Sequence, residues 1–135
     1  MGNLSNVIEI VTATHSGMVR SHNEDSIAAD AAAGLAVLAD GMGGYNAGEV
    51  ASGIAVSVVA TEISHRLQDA SPTDRDESSG DELAVSLLRD YIQKANASIY
   101  HASQSQPQYS GMGTTIVSGL FYDNRIAVGH VGDSR

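Results

Sequence analysis

The sequence predicts an α+β protein in which two long helices pack on a mainly antiparallel sheet. Short segments with the alternation or the apolar, β-branched composition of strands lie towards both ends of the chain. Two long segments with apolar residues at helical spacing lie between them, and helices and strands do not alternate. This order of three strands, two helices and a hairpin differs from that of a doubly wound parallel sheet.

Three strands are predicted before the helices. Residues 7–14 alternate and are rich in β-branched side chains, and residues 26–30 form a short second strand. Residues 34–39 form a continuous apolar run, which is expected of a strand buried on both faces. This third strand leads directly into the glycine-rich segment that begins at Asp40.

The rest of the chain is predicted to form two helices and a hairpin. The helices cover residues 47–67 and 81–103, and the polar loop between them, residues 69–80, is expected to be solvated and mobile. The hairpin consists of a strand over residues 113–122, a turn at Asp123 and Asn124, and a returning strand over residues 125–131.

Charge and composition exclude several classes of function. The chain has 135 residues, enough for one domain, and a formal net charge of -9 from 7 basic and 16 acidic residues. This balance argues against a nucleic-acid or anionic-membrane partner, and a phosphate-handling protein of this charge would need bound cations. Cysteine is absent, which excludes disulfides and thiolate metal sites. No signal peptide or membrane-spanning segment is visible, so a cytoplasmic location is expected.

The segment from Asp40 to Gly44 is the strongest candidate site. An apolar strand delivers a carboxylate at its end, and the glycines Gly41, Gly43 and Gly44 allow the backbone to turn and approach another group closely. A carboxylate and an adjacent carbonyl oxygen suit Mg²⁺ or Mn²⁺, whereas a plain turn opened by Asp is an equally good interpretation of this segment alone.

Three further polar clusters also lie at predicted strand ends. They are Arg20-Ser21-His22-Asn23-Glu24-Asp25, Gly113-Thr114-Thr115 and Gly132-Asp133-Ser134-Arg135. Arginine can bind phosphate oxygens with two donors, and acids beside it could hold metal-bound water. Taken singly, each cluster is also compatible with a polar turn or the start of a strand.

Together the four clusters resemble the metal-dependent serine/threonine protein phosphatases of the protein phosphatase 2C type, most closely the bacterial branch. The resemblance implies an α-β-β-α four-layer sandwich with antiparallel sheets, of which residues 1–135 would be the N-terminal half. It implies hydrolysis of phosphoserine and phosphothreonine in proteins by a metal-activated water at a binuclear site. The implied cofactors are two Mn²⁺ or Mg²⁺ ions, with a third possible.

The resemblance also implies a role for each residue of the clusters. Asp40 would bridge both metals, Gly41 would offer its carbonyl oxygen, Glu24 would reach a metal through water, and Asp25 would orient that shell. Arg20 would bind the substrate phosphate. Asp133 matches the position that can hold a third, weaker metal ion in bacterial members of the family. Structural support is expected from Gly43, Gly44, Gly113, Thr114 and Thr115.

Two departures from the family pattern limit these expectations. Met42 stands where many relatives have a histidine proposed to protonate the leaving oxygen, and a thioether cannot donate a proton. The later aspartates that complete the family's metal site are absent from the sequence. The sequence is expected to be truncated after Arg135, and the chain by itself is expected to be inactive or nearly so and prone to self-association through an exposed sheet face. Phosphorylated proteins and a Ser/Thr kinase are the expected partners.

Two other functions remain open. A non-catalytic phosphatase-like binding module, or a bare folding fragment, would carry the same clusters without turnover. Gly132-Asp133-Ser134 also resembles the start of the motif of GDSL serine esterases, with Ser134 as nucleophile. That interpretation would leave Asp40 and Glu24 without a role.

Overall fold

The computed structural model describes residues 24–44 and 46–131, which form one sheet and one layer of helices. The elements in chain order are β1 Asp25–Asp30, β2 Leu35–Met42, α1 Ala47–Arg66, α2 Leu83–Ser105, a 3₁₀ turn Pro107–Tyr109, β3 Gly113–Tyr122 and β4 Arg125–Val131. The predicted α+β class is confirmed. The strand predicted over residues 7–14 lies outside the described residues.

The four strands form an antiparallel sheet in the order β1-β2-β3-β4. After β2 the chain runs through both helices and returns as β3, which pairs with β2 from Leu35 opposite Leu120 to Met42 opposite Gly113. The hairpin between β3 and β4 turns at Asp123 and Asn124, whose φ angles are 49° and 59°. Positive φ at both central residues is the signature of a tight hairpin turn that matches the twist of the strands.

Both helices pack on the same face of the sheet. Alternate residues of β2 are buried beneath them, whereas the residues between are partly or fully exposed. Along α1 the contact with the sheet is made largely by small side chains such as Ala51 and Ala55, which allow the helix to approach the strands closely. The largest fully buried side chains of this core are Leu35, Val37, Val59, Ile63, Leu87 and Leu120.

Helix α1 is both long and apolar. By length and composition it could cross a membrane, contrary to the expectation that no segment is long enough. In the fold, 44% of that stretch is buried, and the core helix of a globular protein meets the same criterion.

The loop between the helices, predicted to be solvated and mobile, makes several hydrogen bonds to the start of α2. The backbone N–H groups of Leu83 and Ala84 donate to the carbonyls of Asp74 and Pro72, at 2.6 and 3.0 Å, and so tie the loop to the first turn of α2. Hydrogen bonds from Ser86 and Ser78 lower the pKa of Asp76 to about 2. Because Glu82 pairs with Arg75 in a short β-bridge, α2 begins at Leu83 and not at Asp81 as predicted.

Candidate metal centre

Two carboxylates face each other at one edge of the sheet. Asp25, the first residue of β1, is the register partner of Asp40 near the end of β2. Both side chains belong to the face of the sheet that the helices leave open, because the alternate residues of β2 are buried under α1. Like charges directly opposite on neighbouring strands are unfavourable unless other groups compensate for them. The register therefore brings two acidic side chains to one position at this edge of the sheet.

Strand β3 completes this row of residues. Thr115 is the register partner of Asp40 on its other side, and the N–H of Asp40 donates to Thr115 Oγ1 at 3.4 Å. The hydroxyl of Thr114 donates to the carbonyl of Thr115 at 2.8 Å. Gly113 pairs with Met42, one step further along. These contacts place Thr115 directly against Asp40, and the structural support expected of Gly113, Thr114 and Thr115 stays a prediction.

Glu24 and Gly41 connect this edge of the sheet to α1. The N–H of Gly41 donates to the carbonyl of Glu24 at 3.1 Å, which continues the pairing of β1 and β2 beyond Asp25. Gly41 is buried, and its backbone lies directly against Gly48 in the first turn of α1. The side chain of Glu24 reaches the same glycine.

The two glycines that follow Met42 differ in their structural requirement. Gly43 has a φ of 154°, and a Cβ there would stand 2.8 Å from the Cβ of Ala47. A side chain at Gly43 is therefore disfavoured twice, by conformation and by space. At Gly44 a Cβ would meet nothing within 4 Å, although the carbonyl of this residue accepts a hydrogen bond from the N–H of Ala47 at 2.9 Å.

The donor chemistry at this edge fits a hard divalent cation, but the number of donors is small. Asp25, Asp40 and the carbonyl of Gly41 offer oxygen ligands of the kind that Mg²⁺ and Mn²⁺ prefer. Among the residues described, no group of three or more His, Asp or Glu side chains is placed to hold a metal ion. A complete coordination shell would therefore need further oxygens.

Several predicted site residues fall outside this arrangement. Arg20, with the rest of its cluster before Glu24, and Asp133 with Ser134 lie outside the described residues. Among the described residues, the structure pairs Asp25 with Asp40 and Asp40 with Thr115, and it places the Glu24 side chain against Gly48, next to Gly41. Gly48 is a residue of this region that the sequence motifs did not reveal. The sequence clue to Gly48 was the presence of a glycine near the start of a predicted helix, where glycine is unfavourable unless close packing requires it.

The chain is similar in sequence to known phosphatases. A family described as "Protein phosphatase 2C" matches residues 14–135. "Serine/threonine protein phosphatase PstP" of Mycobacterium tuberculosis is 38% identical over the whole chain, which covers 23% of that protein. "Serine/threonine phosphatase stp" of Listeria monocytogenes is 34% identical, over 90% of this chain and 46% of its own length. The chain thus spans half or less of the length of these relatives.

The chain is also similar in fold to solved phosphatase structures. The crystal structure of M. tuberculosis PstP matches 91% of this chain with a TM-score of 0.71 and 39% identity, and the match covers 46% of that chain. A second structure, the PstP catalytic domain in complex with two manganese ions, matches with a TM-score of 0.71 and 36% identity, over 91% of this chain and 47% of that one. The chain belongs to the protein phosphatase 2C family.

Proposed function

We propose that the protein hydrolyses phosphoserine and phosphothreonine in other proteins, and that the edge of the sheet at Asp40 is part of its metal centre. The observation that carries this proposal is the pairing of Asp25 with Asp40 on the open face of the sheet. Two facing carboxylates next to Glu24 and a buried glycine carbonyl form an environment that a divalent cation would stabilise.

The proposed roles follow the position of each residue. Asp40 and the carbonyl of Gly41 hold the two cations, while Glu24 and Asp25 bind or orient the water around them. Bound Mn²⁺ or Mg²⁺ supplies the activation of the attacking water. The manganese ions in the related PstP structure support this choice of metal. Arg20 binds the phosphate of the substrate, and Asp133 serves a third, weaker cation.

The net reaction consumes one water molecule and breaks the bond between phosphorus and the serine or threonine oxygen. The products are inorganic phosphate and the free hydroxyl, which must gain a proton as it leaves. Met42 is 58% exposed at the end of β2 and carries no proton to donate. Water is therefore the proposed proton donor in place of a histidine.

The 135 residues by themselves are proposed to bind metal weakly and to turn over little substrate, because the described residues supply few ligands. The proposed partners are phosphorylated proteins, including a Ser/Thr kinase whose phosphorylation this activity would reverse, in the cytoplasm. The open face of the sheet is proposed to be covered by a second copy of the chain or by further sheet.

A chimera provides a direct test of the activity. This chain would replace the matching part of the Listeria phosphatase, and release of phosphate from a phosphothreonine peptide would be measured with and without Mn²⁺. We expect manganese-dependent hydrolysis, and a loss of about 100-fold on Asp40→Asn, which corresponds to about 3 kcal/mol of transition-state stabilisation. Asp90→Asn, at an exposed position of α2, is the matched control. Equal activity of the two variants would refute the proposal for Asp40.

The small number of ligands also favours a second candidate, a phosphatase-like module that binds metal or phosphoprotein without turnover. Calorimetric titration of the 135-residue chain with Mn²⁺, with Asp40→Ala as control, separates a preformed site from an incomplete one. Robust manganese-dependent hydrolysis of p-nitrophenyl phosphate by the chain alone would contradict both the second candidate and the expected inactivity.

A further inference from the structure

Gly48 occupies a helical position where the backbone does not require glycine. It is the second residue of α1, it is buried, and its φ is not in the left-handed region. In such a position alanine is favoured over glycine by about 1 kcal/mol, because glycine loses more conformational freedom on folding. The reason for glycine must therefore lie in the surroundings of this residue.

Those surroundings leave no space for a side chain. A Cβ on Gly48 would overlap Oε2 of Glu24, and it would stand 2.7 Å from Cδ of the same side chain and 3.1 Å from the carbonyl carbon of Gly41. In the reverse direction, a Cβ on Gly41 would overlap the carbonyl oxygen of Gly48 and stand 2.6 Å from its carbonyl carbon. The first turn of α1 thus lies directly on the end of β2, with the carboxylate of Glu24 against it.

The two glycines differ in what a methyl group would displace. At Gly41 the obstacle is the backbone of α1, which cannot move without separating the helix from the sheet. At Gly48 the nearest obstacle is the end of a flexible side chain, which can rotate away. Alanine at position 48 would therefore displace the Glu24 carboxylate first, and it would also press on the carbonyl carbon of Gly41 at 3.1 Å.

We infer that Gly48 is a positioning residue, which leaves the space that the Glu24 carboxylate occupies against the first turn of α1, next to the backbone of Gly41 at the proposed metal centre. This inference rests on the proposed function, because it assigns the placement of a group that the proposed function uses. The first turn of a helix is also the positive end of its dipole, which attracts a carboxylate. Steric contact with Gly48 and attraction by α1 together define where Glu24 can lie.

The test compares Gly48→Ala with Gly53→Ala in the 135-residue chain. Gly53 lies in the same helix with nothing within 4 Å of its Cβ position, so the pair compares the same substitution with and without the contacts that position 48 makes with Glu24 and with the backbone of Gly41. The binding probe is Mn²⁺ alone, followed by its paramagnetic broadening of the Gly41 amide resonance. We expect the apparent Kd for Mn²⁺ to rise about tenfold in Gly48→Ala, the effect typical of a lost supporting contact. The Kd of Gly53→Ala should stay within about twofold of the wild type.

Melting without metal separates positioning from a packing defect. Gly53→Ala should melt at or above the wild-type temperature, since it gains helix propensity, whereas the contacts at position 48 should offset that gain in Gly48→Ala. A drop in the melting temperature of Gly48→Ala with unchanged Mn²⁺ binding would show that the glycine serves only to pack α1 on the sheet, and would overturn the inference.

A double-mutant cycle with Glu24 provides the second criterion. Glu24→Ala should weaken Mn²⁺ binding, and Gly48→Ala should add nothing further in that background, because the group that it displaces is gone. The shorter Glu24→Asp should likewise remove the effect of Gly48→Ala. If Glu24→Ala leaves Mn²⁺ binding unchanged, the proposed function is wrong for Glu24. If Glu24→Ala weakens binding and Gly48→Ala does not, only the positioning role is refuted.

Discussion

The two faces of the four-stranded sheet differ in the side chains that they carry. The face under α1 and α2 carries fully buried apolar side chains such as Leu35, Val37 and Leu120. The opposite face carries the facing carboxylates Asp25 and Asp40 at one edge. Apolar packing is therefore concentrated on one side of the strands and the pair Asp25 and Asp40 on the other, and the strict alternation of side chains along a strand allows this division.

The open face is not uniformly polar. Beyond the acidic edge it exposes apolar side chains, among them Leu38 at 39%, Phe121 at 40% and Ile126 at 50% exposure. Several exposed apolar side chains on one face of a sheet are typical of a face that another protein layer covers. The difference in exposure between the two faces thus describes the chain by itself. A partner that covered the open face would bury these apolar side chains.

The largest expected effect compares two neighbours in β3 that point to opposite faces. Leu120→Ala should lower the free energy of unfolding by about 3 kcal/mol, because it leaves a cavity under the helices. Phe121→Ala, on the open face, should cost less than about 1 kcal/mol despite the larger side chain removed. Urea denaturation of dilute protein measures both values. Equal losses would mean that the open face is as well packed as the covered one.

The next effect concerns association through the open face. Ile126→Lys places a charge in the apolar surface, and it should weaken self-association at least about tenfold, a change of about 1.4 kcal/mol. Val85→Lys is the control, since Val85 is exposed to 42% but lies on α2. Sedimentation equilibrium measures the association constant. A wild-type chain that remains monomeric, with a cooperative melt, would contradict the proposed association.

Sequence patterns predicted the elements well where local signals were strong. The strands Gly113–Tyr122 and Arg125–Val131 have the predicted bounds, because a two-residue turn of Asp and Asn separates two β-branched runs. The sequence predicts the start of α2 two residues too early, because contacts with Arg75 and Arg125 hold Glu82 outside the helix. Its carboxylate accepts hydrogen bonds from both terminal nitrogens of Arg125, at 2.9 and 3.0 Å.

The candidate site was predictable in composition but not in geometry. Asp40 and Glu24 could be selected because polar residues follow apolar strands and because the clusters resemble a family. That Asp25 faces Asp40 depends on the register of β1 against β2, which the four-residue turn between them sets. The contact of Glu24 with Gly48 depends on where α1 begins in space, and no local pattern contains that information.

The covered face also has a rim, where Tyr122 lies at the end of β3 furthest from Asp40. Burial, with the negative charge of Glu82 as the next cause, raises the pKa of Tyr122 above its ordinary value of 10.0. A folded-state pKa above the unfolded value contributes stability that is present below the unfolded pKa. That contribution is lost as the pH rises through the folded pKa.

The chain should accordingly lose stability above about pH 10, and Tyr122→Phe should reduce this alkaline loss. Urea midpoints measured at neutral and alkaline pH provide the test, with Tyr100→Phe, 64% exposed on α2, as the control. An identical alkaline loss in the wild type and Tyr122→Phe would show that the rim is open to water and that the covered face ends before Tyr122.

The smallest expected effect lies at the centre of the covered face. Ser118 is fully buried between Val37 and Gly129, and its hydroxyl has no hydrogen-bond partner among the residues described. A buried hydroxyl without a partner opposes folding, so Ser118→Ala should raise the free energy of unfolding by up to about 1 kcal/mol. Ser52 is equally buried, but its hydroxyl lies 2.9 Å from that of Ser26 and donates to the carbonyl of Glu49 at 3.3 Å.

Ser52→Ala should therefore lower the free energy of unfolding by about 1 kcal/mol, opposite in sign to Ser118→Ala. Both variants remove one buried oxygen from the same side of the sheet, so the difference between them isolates the hydrogen bonds. Urea denaturation at neutral pH measures it. A loss of stability in Ser118→Ala as large as that in Ser52→Ala would imply that water reaches Ser118. The covered face would then be less dry, and less different from the open face, than its packing indicates.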